Sequence, residues 1–278
     1  MCTARIANHF VGLRSTVTPV CRFRALLAKA TGRPQASRMR SFCILVLAGL
    51  LIGPSNLASA ADTATKDRYQ DGPKSRNGIG KYYMGREMAH YMSHLGAPWL
   101  ERGTREQEER PDLLMEALEL KPGMKVADIG CGSGYYTRRI AKAVGSQGMV
   151  YGVDIQKEML AILHRNMGAN NLTNYQAILN TSTASKLPKD TIDLAIFVDV
   201  YHEFDHPYEM MQSICASLKK GGRIVLVEYR MEDPKVPIKL LHKMTEAQVK
   251  KEMTVQPLKY VKTVPHLPWQ HVIIFEKI

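Results

Sequence analysis

Asp128-Ile129-Gly130-Cys131-Gly132-Ser133-Gly134 sets three glycines at alternate positions directly behind an apolar run that begins at Lys125. A short apolar run of this kind reads as a buried strand. Glycines directly after it let the backbone take positive φ and approach a ligand closely. Helical spacing resumes at Tyr136, so the glycines occupy a strand-to-helix turn, where open α/β sheets bind ligands. A dinucleotide fingerprint would need the spacing G-x-G-x-x-G. Counting from Gly130 that demands glycine at 135, which is Tyr135, and counting from Gly132 it demands glycine at 137, which is Thr137. The observed D-x-G-x-G-x-G leaves less room for a pyrophosphate and suits a ligand with an amino acid end.

Working outward, apolar runs predict strands over 125–130, 148–155, 175–179, 192–200, 223–228, 260–264 and 271–276. Helical spacing predicts helices over 136–144, 156–167, 208–220 and 245–253. Alternating βα units with apolar strands imply a parallel sheet covered on both faces. Only Pro265–Gln270 separates the final two strands, so that pair must be antiparallel, because a parallel return needs a longer crossover. Upstream, Tyr83, Met84, Met88, Tyr91, Met92 and Leu95 recur at helical spacing, which predicts a helix over 82–95. A second helix is predicted over 106–118, with a restart at Pro111. Together these make residues 81–119 an N-terminal helical lid.

The glycine turn and the second strand, ending Val153-Asp154-Ile155, resemble class I methyltransferases that use S-adenosylmethionine (SAM), of the small-molecule type related to quinone and sterol methylating enzymes. The resemblance covers residues 120–278 and implies an α/β fold, a Rossmann-like doubly wound sheet of seven strands, mostly parallel with an antiparallel last strand. It implies that Asp128 helps hold the ammonium of the methionine moiety, and that Gly130, Cys131, Gly132 and Gly134 lie beneath the ligand. Asp154 would accept hydrogen bonds from both ribose hydroxyls, a task suited to a two-oxygen acceptor, and Ile155 would flank the adenine. The family commonly has an acid shortly after the third strand, against the adenine amino group. Here that stretch begins Asn180-Thr181 and has no acid before Asp190, so Asn180, Thr181 or backbone carbonyls are left for the role.

The fourth strand ends Val198-Asp199-Val200-Tyr201-His202-Glu203. The Asn/Asp-Pro-Pro-aromatic motif of amino-directed DNA methyltransferases is absent, which argues against methylation of exocyclic base amines. Asp199 is expected to shape the SAM end of the cleft. His202 has a near-neutral pKa and is a candidate general base; Glu203 is a candidate for orienting the acceptor. Glu228, ending the fifth strand with Tyr229 and Arg230, is a third catalytic candidate on the same rim. The sulfonium activates its own methyl group, so the protein mainly aligns the nucleophile and excludes water. No metal is expected, since the sequence has no C-x-x-C and no Cys/His cluster. The competing readings are a non-catalytic SAM-binding protein, a nicotinamide oxidoreductase, and an RNA or protein methyltransferase.

Charge and the first sixty residues bear on partners and compartment. The formal net charge is +12. Residues 1–60 hold eight Lys or Arg and no acid, so residues 61–278 carry only +4. That modest excess gives nucleic acid little support as a partner, and a small-molecule acceptor is expected. Arg38-Met39-Arg40, an apolar run over 42–53, and Ala58-Ser59-Ala60 follow the plan of a secretory signal, with Met39 as a plausible start. The run is too short for a comfortable membrane span. The expectation is a leader over 1–60, a flexible linker over 61–80 and an exported or periplasmic protein with no stable span after cleavage. A membrane-anchored or cytoplasmic protein is the alternative.

Overall fold

The computed structural model describes residues 68–278; the expected leader and the first part of the expected linker lie outside the described residues. Among the described residues no helix is long and apolar enough to cross a membrane. The chain enters as strands β1 (Tyr69–Asp71), β2 (Gly78–Tyr83) and β3 (Arg86–Ala89), which form a three-stranded antiparallel sheet. This corrects two expectations. Within the expected linker, Tyr69–Asp71 and residues 78–80 are strand, and the first part of the helix expected over 82–95 is a hairpin that ends at Ala89. Met84 (φ 49°) and Gly85 (φ 91°) both take positive φ between the paired Tyr83 and Arg86. That is the two-residue turn whose twist matches flanking strands. The carboxylate of Glu87 accepts from the backbone N–H of Ser75 and Gly80 and draws the preceding loop onto the hairpin.

Helices α1 (Ala97–Leu100), α2 (Arg105–Glu109) and α3 (Pro111–Ala117) follow. The expected restart at Pro111 is a real break: Arg110 sits at φ 49°, and Pro111 opens α3 where its missing N–H costs nothing.

The main sheet comes next. Its elements are β4 (Lys125–Ile129), α4 (Tyr135–Val144), β5 (Met149–Asp154), α5 (Lys157–Ala169), β6 (Tyr175–Leu179), β7 (Ile192–Val198), α6 (Pro207–Ser217), β8 (Leu218–Arg230), β9 (Lys243–Met244), α7 (Glu246–Met253), β10 (Leu258–Val264) and β11 (Gln270–Lys277). The strand order is β10-β11-β8-β7-β4-β5-β6, with the two-residue β9 paired to β8. So the seven expected strands are joined by a short eighth. The last strand, β11, runs antiparallel to both β8 and β10, and the remaining neighbours are parallel.

Side chains alternate along the strands and feed two cores. Ala127, Ile129, Ala195 and Phe197 pack against α6 and α7, while Val126, Leu194 and Ile196 pack against α3, α4 and α5. The period-2 alternation of a strand with both faces covered produces this division. From β4 the chain winds outward through β5 and β6, then returns to place β7 on the other side of β4. The carboxyl ends of β4 and β7 therefore flank the crevice that such a reversal opens.

Buried ion pairs fasten the N-terminal segment to this crevice. Arg86 binds Glu252 of α7 through Nε and Nη2 at 2.8 and 3.0 Å, and donates to the carbonyl of His202 at 3.1 Å. Glu252 also accepts from the Tyr201 hydroxyl at 2.8 Å. On the other flank, Glu109 of α2 accepts from Arg102, Arg105 and the Tyr229 hydroxyl at 2.6–2.9 Å. Burial works against the charge on Glu109, but Arg105 and Arg102 outweigh it and hold the carboxyl below the usual carboxylate range.

Candidate functional site

Three positive-φ glycines shape the turn after β4. Gly130, Gly132 and Gly134 lie at φ 65°, 51° and 80°. The turn is tied to its neighbour strand: the N–H groups of Gly130 and Cys131 donate to the carbonyl of Val153 at 2.8 and 3.0 Å. A Cβ on Gly132 would stand 2.6 Å from Leu100 Cδ1, and one on Gly134 2.3 Å from Leu163 Cδ1. Gly132 thus admits the N-terminal segment, and Gly134 admits helix α5.

The Asp154 carboxylate at the end of β5 holds this turn. Its Oδ2 accepts from Gly132 N at 3.0 Å and its Oδ1 from Gln156 N at 2.9 Å. Burial raises its pKa, and these backbone donors work against that rise.

A cavity of about 900 Å³ opens over the carboxyl ends of β4, β5, β6, β7 and β8. Of the sequence-derived residues, Gly130, Gly132, Asp154, Ile155, Asn180, Thr181, Asp199, His202 and Glu203 line it. Asp128, Cys131, Gly134 and Glu228 are not in its lining. Asp128 instead accepts from the Thr137 hydroxyl at 2.6 Å beneath the turn, and burial pushes its pKa up to about 6. Cys131 is buried beside Gly152.

Two acceptor atoms in the lining have no partner within the protein. Asn180 donates through Nδ2 to the Thr181 carbonyl, which leaves Oδ1 buried and unpaired. Asp199 accepts from Gln270 Nε2 at 3.1 Å through Oδ2, and its Oδ1 is buried and unpaired. Buried polar atoms without partners are uncommon and need an explanation. Asp199 also sits at φ 53°, a strained backbone for a non-glycine residue. Burial raises its pKa well above the usual range, with Glu109 and Glu228 adding to the rise.

The other end of the cavity is built around His202, in the short 3-10 turn Tyr201–Glu203 after β7. Its Nδ1 stands 2.6 Å from Glu228 Oε2, and Glu228 Oε1 accepts from Tyr201 N at 3.0 Å. Burial disfavours the charged imidazole, yet Glu228 outweighs it and raises the His202 pKa. Glu228 is fully buried behind the ring. It therefore positions His202 and does not meet an acceptor, which corrects its reading as a rim residue. His202 Nε2 faces His242 Nδ1 at 3.1 Å, and His242 Nδ1 lies 3.5 Å from Glu203 Oε1. His202, Glu203 and His242 form a group with metal-ligand donors gathered at one point. The expectation of no metal rested on local spacing, and forty residues separate the two histidines in the chain.

The N-terminal segment supplies further walls. His90, Tyr91 and Met92 after β3, and Trp99 and Leu100 of α1, line the cavity. Tyr83, Arg86 and Glu87 are not in the lining: Tyr83 is buried, Arg86 pairs with Glu252, and Glu87 accepts from the backbone N–H of Ser75 and Gly80. Tyr229 lines the cavity with its hydroxyl on Glu109.

Residues 120–272 match a family model described as a methyltransferase domain. The match spans more than half of the chain, and the chain belongs to this methyltransferase family. A demethylmenaquinone methyltransferase of Shouchella clausii is 27% identical over 124 residues, covering 45% of this chain and 52% of that protein. A protein-L-isoaspartate O-methyltransferase of Methanothrix thermoacetophila is 28% identical over 117 residues, covering 41% of this chain and 51% of that protein. The chain spans about half the length of these curated relatives. The crystal structure of a SAM-dependent methyltransferase from Aquifex aeolicus shares the fold, with a TM-score of 0.64 at 20% identity, covering 68% of this chain and all of that one.

Proposed function

We propose that the chain binds SAM between the glycine turn and Asp154, and transfers its methyl group to a small-molecule acceptor held toward His202. One observation carries the reading. A single cavity is lined by the glycine turn, the Asp154 carboxylate and two unpaired acceptor oxygens, on Asn180 and Asp199. Each Asp154 oxygen keeps a lone pair after its backbone bond, enough for two ribose hydroxyls. Asn180 Oδ1 accepts from the adenine amino group, the task for which the sequence offers no acid, with Thr181 beside it and the exposed Ile155 against the ring. Asp199 Oδ1 accepts from the methionine ammonium, whose charge keeps that buried carboxyl ionised. Asp128, Cys131 and Gly134 serve by shaping the turn from beneath.

When bound, SAM supplies an electrophilic methyl on a sulfonium. The protein's own work is alignment and exclusion of water. Gly130 and Gly132 let the backbone close on the methionine moiety. Met92, Trp99, Phe204 and Ile238 give the remaining walls an apolar character. That lining, and the likeness to demethylmenaquinone methyltransferases, favours a small, largely apolar acceptor. The net charge of +4 outside the first sixty residues favours it over nucleic acid.

The test incubates the protein with methyl-labelled SAM and fractionated cell extract. Label is expected in a low-mass product. Label confined to RNA or protein overturns the acceptor class. Tight SAM binding with no labelled product in any fraction overturns catalysis and leaves a SAM-binding protein.

A further inference from the structure

We propose that His202 Nε2, His242 Nδ1 and Glu203 Oε1 form a binding site for a divalent first-row transition-metal ion, and that the methyl acceptor carries a hydroxyl or thiol that this ion engages. The second half of the proposal rests on the SAM reading above; the first does not.

The donor set is the first argument. Two imidazoles and one carboxylate suit Zn²⁺ and its neighbours, and three protein ligands leave positions for water or substrate. The distances are the second. Ligand atoms about 2.0–2.1 Å from a common ion stand roughly 3–3.5 Å apart at ordinary coordination angles. Here the edges are 3.1 Å for the two histidines, 3.5 Å from His242 to Glu203 and 4.0 Å from His202 to Glu203. The two shorter edges already fit, and a small turn of the Glu203 side chain closes the third.

The third argument is how the ligands are held. Glu228 accepts the hydrogen bond of His202 Nδ1–H, which leaves the Nε2 lone pair facing His242 and Glu203. A carboxylate behind a ligating histidine is the usual support for a bound metal. Glu203 Oε1 also accepts from the N–H of Met92 at 3.1 Å. His202 is 1% exposed and cannot swing away. Glu203 and Glu228 bring two carboxylates to this point, and the nearby Arg86 is already matched by Glu252. All three ligating residues line the cavity, so the open coordination positions face the acceptor.

The chemistry balances without another reagent. On binding the cation, and before the site is shielded from water, the acceptor O–H or S–H loses its proton to solvent. Its electron pair forms the bond to the methyl carbon while the carbon–sulfonium bond breaks. The products are a methyl ether or thioether and a neutral S-adenosylhomocysteine.

The test strips the full chain with a chelator and titrates Zn²⁺ against a chromophoric competitor, with Mg²⁺ as the control. One equivalent of Zn²⁺ is expected to bind, and Mg²⁺ is not. His242→Ala and Glu203→Gln should each weaken Zn²⁺ at least about tenfold, and Glu228→Gln about 10–100-fold. His242 is partly exposed and Glu203→Gln is isosteric, so at least one variant keeps the fold, checked by circular dichroism. Binding below a tenth of an equivalent, or binding unchanged in a folded variant, overturns the site. SAM affinity is measured alongside: Zn²⁺ without SAM binding overturns the SAM reading alone, and SAM without Zn²⁺ overturns the metal site alone. A labelled product methylated on carbon or nitrogen overturns the acceptor class.

Discussion

The two ends of the cavity are built by different rules. The end beneath β4, β5 and β6 comes from three adjacent strand ends and their turns. Its central contact, Gly132 N to Asp154 Oδ2, joins residues twenty-two positions apart. The end beneath β7 and β8 is gathered from far along the chain: His202 meets His242 and Glu228, Met92 meets Glu203, and Arg86 reaches Glu252. The first is a local device that a sheet carries intact. The second exists only when the hairpin, the β8–β9 connection and α7 have all docked. Apart from Asp199, at the end of β7, the SAM contacts proposed above fall at the first end and the acceptor residues at the second, so variants should separate the two.

Gly132→Val carries the largest expected effect. Residue 132 sits at φ 51°, and a Cβ there would meet Leu100 at 2.6 Å. SAM binding should fall by more than about a thousandfold in titration, since strain and clash act together on the turn. Near wild-type affinity would show that the turn does not hold the ligand.

Arg86→Ala comes next and attacks the other end. It leaves Glu252 buried without its cation, a loss of about 3–5 kcal/mol of stability. Urea unfolding measures it. A loss below about 1 kcal/mol would mean that the hairpin is anchored by something else.

Asp128→Asn tests the support beneath the turn. The folded pKa of about 6 lies above the ordinary 3.8. At low pH both states are protonated and the group contributes nothing. Above about 3.8 the unfolded chain ionises while the folded one keeps its proton, so stability falls as pH rises until about 6 and is then level. The penalty is ~3 kcal/mol. Thermal unfolding between pH 4 and 7 should show the fall in wild type and a flatter profile in Asp128→Asn. Parallel profiles would contradict the burial of an unpaired charge. His242→Ala should have the smallest effect of all on SAM affinity, within about threefold by calorimetry. A loss beyond tenfold would mean that the two ends are one unit.

This division also explains what the sequence made legible. The central strands of the main sheet were readable because apolar runs buried on both faces need no long-range information. The third strand, Tyr175–Leu179, has its expected bounds. Helix α6 stops at Ser217 and not at Lys220, because β8 starts at Leu218 and reaches past Gly221 at φ 73°. The N-terminal hairpin was misread because Tyr83, Met84, Met88 and Met92 match helical spacing by accident. The turn residue Gly85 was the available signal, and it was outweighed. Asp154, Asn180 and Asp199 were placed by their positions at strand ends. His242 lies outside every strand and helix predicted from the sequence. Its partnership with His202 depends on a connection whose path no periodicity encodes. Glu228 read as a rim residue because strand-end position does not reveal which way a side chain faces behind a histidine.

On the reading proposed above, Asp154 and the turn it pins form the SAM site. Titrating SAM into the full-length protein and into Asp154→Ala by calorimetry tests it most directly. Losing the charged acceptor of the Gly132 and Gln156 N–H groups and of the ribose should weaken binding about a hundredfold or more from a single wild-type site. Equal affinity in the two proteins, or no binding by a folded wild type, would contradict the account.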